Sequence, residues 1–303
     1  MAAVRGAGFS SAVVEDIHFD RLRENLDEAE ELGVDFVELP LFAMDLIAGG
    51  RVLQPQIRRL HEALKARSLG FTAHGPISVN FMEAPETVAR HMTVAKASIE
   101  VAAEIGVVHF ILHTGRTTAQ DEAEIEALYA RQREAFAALG DLAAQHSMTI
   151  AVENIFSFGA KEHTALPSRL AREIEAIGHT NVRGCLDFSH AALTCAAGGV
   201  DFLADAKALA RVACHLHIHD SFGDPRALWF FNRSERAAYG FGDLHLPIGW
   251  GNLPWAAMMA DFAFLPDAIF NLELPAQYWF SLEESVRAMR EMIETYQARD
   301  ARP

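Results

Sequence analysis

Along the chain, short apolar runs alternate with longer stretches in which apolar residues recur every three or four positions. That alternation is the pattern of repeated strand and helix units feeding a parallel sheet. The runs fall near 5–9, 35–39 (DFVEL), 70–73, 107–112 (VVHFIL), 147–152 (SMTIAV), 182–186 (VRGCL), 212–218 (VACHLHI) and 268–272 (AIFNL). The stretches between them, such as FDRLRENLDEAEELG and ETVARHMTVAKASIEVAAEIG, would each bury one stripe against the sheet. Eight such units predict an α/β protein of the (β/α)8 TIM-barrel class, with a doubly wound open sheet as the alternative. No linker or compositional break interrupts residues 1–303, so one barrel is expected for the whole chain. The largest departure from the rhythm is the connection at about 219–253, far longer than a usual βα loop and therefore expected to be functional.

Charge and composition narrow the partners. A formal net charge of −15 disfavours broad attraction to nucleic acid or anionic lipid, which reward a basic surface. No apolar run approaches the ~18 residues needed to cross a bilayer, and the start MAAVRGAGFSSAVV lacks a basic segment followed by a sustained apolar one. A soluble, cytoplasmic protein is expected, with no membrane partner. Cys185, Cys195 and Cys214 show no CxxC spacing, which fits a reducing compartment and offers no thiolate metal site.

The 14 histidines change the picture, because many follow directly on the strand-like runs. In a parallel barrel the carboxyl ends of the strands share one face, so residues remote in sequence converge there. His74 follows the third run, His113 the fourth, Glu153 the fifth, Asp187 the sixth, His217 lies in the seventh, and Glu273 follows the eighth. His190 comes three residues after Asp187, while Asp243 and His245 sit in the long connection, in GDLHLPIGWG. Singly, each has an ordinary reading: a strand histidine as a core residue, or Asp187 as a helix cap. Glu153 and Glu273 resist it, because a carboxylate ending an apolar strand is costly to bury unpartnered. Together the nine form a nitrogen and oxygen donor set suited to Zn²⁺ first, with Mn²⁺ or Fe²⁺ as alternatives. A tetrahedral zinc takes about four ligands, so nine imply two to three divalent ions.

These residues carry a family resemblance. HGPISVN, ILHTG, VENIFSFG, CLDFSHA, HIHDS, DLH, IGWG and LELP resemble the corresponding segments of the xylose isomerase-like TIM barrels, and most of all their endonuclease IV (AP endonuclease family 2) branch. The resemblance implies one ion on His74, His113 and Glu153, a second on Glu153, Asp187, His217 and Glu273, and a third on His190, Asp243 and His245. It also selects His217 from the alternating His215, His217 and His219, which all point the same way on a strand and which the strand alone does not separate. Sugar isomerases and epimerases of the wider superfamily resemble the chain too, but need only a quartet like Glu153, Asp187, His217 and Glu273. The additional ligands favour a multinuclear metal-dependent hydrolase of a small or flexible phosphoester, with Glu153 and Glu273 as catalytic carboxylates. A metal-dependent sugar or sugar-phosphate isomerase or epimerase is the rival, and a non-catalytic metal- or ligand-binding barrel the third reading.

Departures from the branch bear on the substrate. Where endonuclease IV inserts bulky side chains into DNA, this chain offers Ile77 and Ser78, and the segment LPLFAMDLIAGGRV contains a single Arg51. Duplex DNA is therefore disfavoured and a small-molecule substrate expected. Arg116, Arg226 and Arg233, with Lys161 and Arg236, fall in loops where a guanidinium could grip phosphate. Trp229, Phe230 and Phe231 could cover the substrate or serve a plainer packing role. His109 reads as a core residue, and Glu38 as either a structural residue or a substrate contact.

Overall fold

The eight apolar runs become eight parallel strands closed into a barrel in the order of the chain. The computed structural model describes residues 4–12, 19–159 and 161–300. The barrel strands are β1 Gly6–Ser10, β2 Phe36–Pro40, β3 Gly70–His74, β4 Val107–His113, β5 Thr149–Glu153, β6 Val182–Asp187, β7 Ala213–Ile218 and β8 Ile269–Leu272. The first and last strands pair, with Gly6 opposite Ile269 and Phe9 opposite Leu272, which closes the ring and excludes the open sheet. Around it lie α1 Asp20–Leu32, α2 Gln54–Leu64, α3 Pro85–Glu104, α4 Glu122–Ala144, α5 Pro167–Ile177, α6 Phe188–Gly198, α7 Phe202–Ala210, α8 Arg233–Tyr239, α9 Trp255–Asp261 and α10 Leu282–Asp300.

The stripes are those the periodicity requires. On α1 the buried apolar residues are Leu22, Leu26 and Ala29, and on α2 they are Ile57, Leu60 and Ala63, each set spaced three or four apart. No helix among the described residues is long and apolar enough to cross a membrane. The three cysteines are buried and unpaired.

Register sets the chemistry. His113 lies opposite Glu153 between β4 and β5, and Asp187 lies opposite His217 between β6 and β7. These groups therefore stand at one level near the carboxyl end of the barrel. A buried polar layer lies beside and below them: Glu38 opposite both Ser10 and Thr72, with His109, His215 and Asn271 nearby in the interior.

The long connection after β7 is pinned by one carboxylate. Asp220 accepts from the backbone N–H groups of Ser221 (2.9 Å), Gly249 (2.8 Å) and Leu253 (3.3 Å), and its own backbone pairs with Leu246. Gly251, in the IGWG segment, lies so close that a Cβ would come within 2.3 Å of the Ser221 carbonyl. Only glycine lets this loop close on Asp220. The same fold-back brings Asp243 and His245 over the barrel, His245 in the left-handed region at φ 47°. Such a conformation is uncommon for a side-chain-bearing residue and is held by its surroundings.

Candidate metal centre

Glu153 is the hub. It ends β5, is 1 % exposed, and turns each carboxylate oxygen toward a different pair of imidazoles. Oε2 lies 3.2 Å from His74 Nε2 and 3.4 Å from His113 Nε2, while Oε1 lies 3.2 Å from both His190 Nδ1 and His217 Nδ1. Glu273 Oε2 lies 3.5 Å from the same His217 nitrogen and 3.8 Å from His245 Nδ1. A third group forms where Asp243 Oδ2 meets His190 Nε2 (3.4 Å) and His245 Nε2 (2.7 Å).

Asp187 does two jobs with two oxygens. Oδ1 caps α6 by accepting from the backbone N–H of His190 at 2.7 Å, which satisfies one of the free amides at the helix start. Oδ2 faces the cluster, 2.9 Å from His219 Nε2 and 3.6 Å from His190 Nδ1. The capping and ligand readings of Asp187 are thus compatible.

All nine expected ligands converge within this network. The structure adds His219, which is fully buried, stacks on His245 with ring centroids 3.8 Å apart, and contacts both Asp187 and Glu273. The alternation HLHIH carried that signal, since His217 and His219 share the inner face of the chain running out of β7. His215 instead points deeper, with Nε2 3.0 Å from Glu38 Oε2 and Nδ1 3.4 Å from His109 Nδ1. Glu38 accepts from Ser10 Oγ (3.0 Å) and Thr72 Oγ1 (3.2 Å) and lies 3.3 Å from His217 Nε2. It is 1 % exposed and supports the cluster from below, so the substrate-contact alternative for Glu38 does not fit its place.

The electrostatics are those of a site built for cations. Burial opposes ionisation of Glu153, yet the neighbouring imidazoles, His217 first and then His113, hold its carboxyl well below the usual range. Burial likewise opposes ionisation of Asp243, and His245 and His190 outweigh it. His190 and His245 move the other way, whereas burial lowers His113. Burial would lower His190, but Asp187 and Asp243 push it well above its ordinary value, and His245 is pushed up to about 9 by Asp243 against the same penalty.

The donor set also fits divalent ions on geometry. Ligands about 2.1 Å from a tetrahedral ion stand roughly 3–3.5 Å from each other. The His74, His113 and His217 separations from Glu153, and that of His190 from Asp243, lie in this range. Although close to carboxylates, both ring nitrogens of His217 and Nδ1 of His219 are buried without a hydrogen bond in line. Buried polar atoms left so are costly, and a cation at His217 Nδ1, the nitrogen that faces Glu153 and Glu273, would remove its share of the cost.

A cavity of about 520 Å³ opens above the cluster, within the range typical of small-molecule sites. Its floor includes His74, His113, Glu153, His190, Asp243, His245 and Glu273. Arg233 lines it; Arg116, Arg226 and Trp229 do not. The Arg116 guanidinium is paired with Glu162 (2.9 Å) and lies over the Phe158 ring, Arg226 is held by Asp224 and lies over Phe241, and Trp229 is 84 % exposed. Of the four expected substrate contacts the structure brings one to the cavity. Arg226 went to Asp224 in its own loop and Arg116 to Glu162 in the next connection, which loop position in the sequence does not reveal.

A closed barrel with histidines and carboxylates gathered at the strand carboxyl ends defines the class. The chain belongs to the xylose isomerase-like TIM barrel family, whose pattern matches residues 26–296. No curated protein matches it by sequence. Among solved structures it is similar to a D-tagatose 3-epimerase-like protein (17 % identity, 97 % of this chain and 98 % of that one, TM-score 0.70). It is also similar to endonuclease IV from Thermus thermophilus (18 %, 95 % and 99 %, 0.59). A third similar structure is the IolI protein with a bound zinc atom (14 %, 97 % and 98 %, 0.65). At these identities the likeness is one of fold.

Proposed function

We propose that the protein is a multinuclear metal-dependent hydrolase of a small phosphoester. The observation that carries this reading is Glu153, whose two oxygens face two separate sets of imidazoles, the arrangement of a carboxylate shared between ions. His74, His113 and Glu153 would hold one ion. Glu153, Asp187, His217 and Glu273 would hold a second, and His190, Asp243 and His245 a third. Divalent ions bound there would activate a nucleophile and neutralise charge developing on a phosphoryl group.

The charge of the donor set suits this reading. Four of the nine ligands are carboxylates, Glu153, Asp187, Asp243 and Glu273, and the other five are histidines. Three divalent ions on four carboxylates would leave the cluster with about two positive charges, suited to a phosphomonoester dianion. Arg233 would add a forked donor for phosphate oxygens at the rim.

The rival is a single-ion sugar or sugar-phosphate epimerase, in which Glu153 and Glu273 act as acid and base. It draws on their placement, both within 3.5 Å of His217 Nδ1, and on the epimerase likeness of the fold. It leaves His74, His113, His190, Asp243 and His245 without a task. The discriminating experiment is a parallel assay of metal-loaded protein on aryl phosphomonoesters and phosphodiesters, abasic duplex DNA and a panel of ketoses. Cleavage of the small phosphoesters, with little incision of the duplex, is the expected result. Ketose interconversion without phosphoester cleavage would overturn it.

A further inference from the structure

The cavity above the cluster has two unlike sides. From the connection after β2 comes Phe42, from that after β3 Ile77, and from that after β5 Phe156 and Phe158. These rings continue the ligand rings outward. Phe42 packs edge-on against His74 (centroids 5.3 Å), Phe156 lies 5.1 Å from His190, and Phe158 lies 4.9 Å from Phe156. Phe42, Ile77 and Phe158 remain 36, 46 and 60 % exposed, so their outer faces lack a partner among the described residues. Phe158 is propped from behind by the Arg116 guanidinium, 4.8 Å from its ring centre and already paired with Glu162. The opposite side, from the connections after β7, β8 and β1, supplies Arg233, Gln277 and Ser11, with Leu274 and Pro275 as its apolar members.

We infer that the ligand of this cavity carries an apolar group of about the size of a phenyl ring beside its phosphoryl head, the head toward the metal cluster, Arg233 and Gln277, and the apolar group against Phe42, Ile77 and Phe158. The inference rests on the phosphoester reading and makes it more specific. A bare phosphate or a fully hydroxylated sugar phosphate would leave the aromatic side wet, whereas an apolar substituent removes the exposed faces of Phe42, Ile77 and Phe158 from water together with its own surface. The same side is hostile to a nucleic-acid backbone, which needs cations where these loops present rings.

The test is binding, not turnover. Phenylphosphonate and methylphosphonate share a head that cannot be hydrolysed and differ in the apolar group. Titration calorimetry of metal-loaded protein is expected to give at least about tenfold tighter binding of the phenyl compound, about 1.4 kcal/mol. The double variant Phe158→Ala/Ile77→Ser, at two exposed positions, is expected to bring that ratio close to one. Equal affinity of the wild-type protein for the two phosphonates, or a ratio that survives the double variant, overturns the inference while leaving the phosphoester reading in place. Failure of the metal-loaded protein to bind either phosphonate overturns the phosphoester reading, and the inference with it.

Discussion

Asp187 and His219 meet at 2.9 Å, the Asp187 Oδ2 atom against His219 Nε2, while the other oxygen of the same carboxylate closes the first turn of α6. One side chain therefore fixes a helix to the barrel and faces the proposed metal cluster. The two roles can be separated by substitution. Asn keeps an oxygen for the cap but loses the charge, whereas Ala loses both. Both Asp187→Asn and Asp187→Ala are expected to lose at least one bound ion, and the Ala variant is expected to be less stable than the Asn variant by about 1 kcal/mol. Ion content by elemental analysis and urea unfolding of the chelator-treated variants check this. Full ion content in Asp187→Asn would remove Asp187 from the ligand set.

Glu38 lies beneath His217 and His215 and is held by Ser10 and Thr72. Burial opposes its ionisation, yet His217 and His215 keep its carboxyl well below the usual range. A carboxylate behind a metal-binding imidazole orients the ring and raises its basicity, and losing one typically costs about 10–100-fold in affinity. Glu38→Gln is expected to weaken metal binding by that factor, measured by competition with a chromophoric chelator. Unchanged affinity would reduce Glu38 to a packing role.

Much of the fold was legible because both faces of barrel strands are buried and read as apolar runs. The observed strands β3, β4 and β5 nevertheless continue through His74, His113 and Glu153, one residue beyond the runs. Apolarity stops at the first polar side chain, but the backbone ladder does not. Of the clustered residues, His74, His113, Glu153, Asp187 and Glu273 were legible for the same reason, since a polar residue at a run's end stands out. His219 was harder to assign, because three alternating histidines carry one pattern and only packing against Asp187 and His245 separates them. Arg116 and Arg226 were taken up by Glu162 and Asp224, and a charge's partner in a loop depends on backbone turns that periodicity does not encode.

The shifted imidazoles give the metal-free protein a pH signature. His190 is raised well above 6.5 by Asp187 and Asp243, and His245 to about 9 chiefly by Asp243, each against burial. A raised folded pKa contributes stability that is complete below the unfolded value of about 6.5 and lost as pH rises through the folded one. The lowered carboxyls of Glu153 and Asp243 contribute stability present above about 4.5 and lost in acid. Chelator-treated protein is thus expected to lose thermal stability from about pH 6.5 to 10 and again below about 4.5. Apparent metal affinity should rise over the alkaline part of this range, because ions and protons compete for the same rings. A melting temperature flat from pH 6.5 to 10 would contradict this coupling.

The central claim is that the cluster holds more than one ion, and the most direct measurement is the ion content of protein purified without chelator. The account predicts two to three divalent ions per chain, with Asp243→Ala and His190→Ala each lowering that number and activity together. A reproducible content of one ion, with both variants retaining wild-type ion content and activity, would contradict it and leave the single-ion epimerase reading in its place.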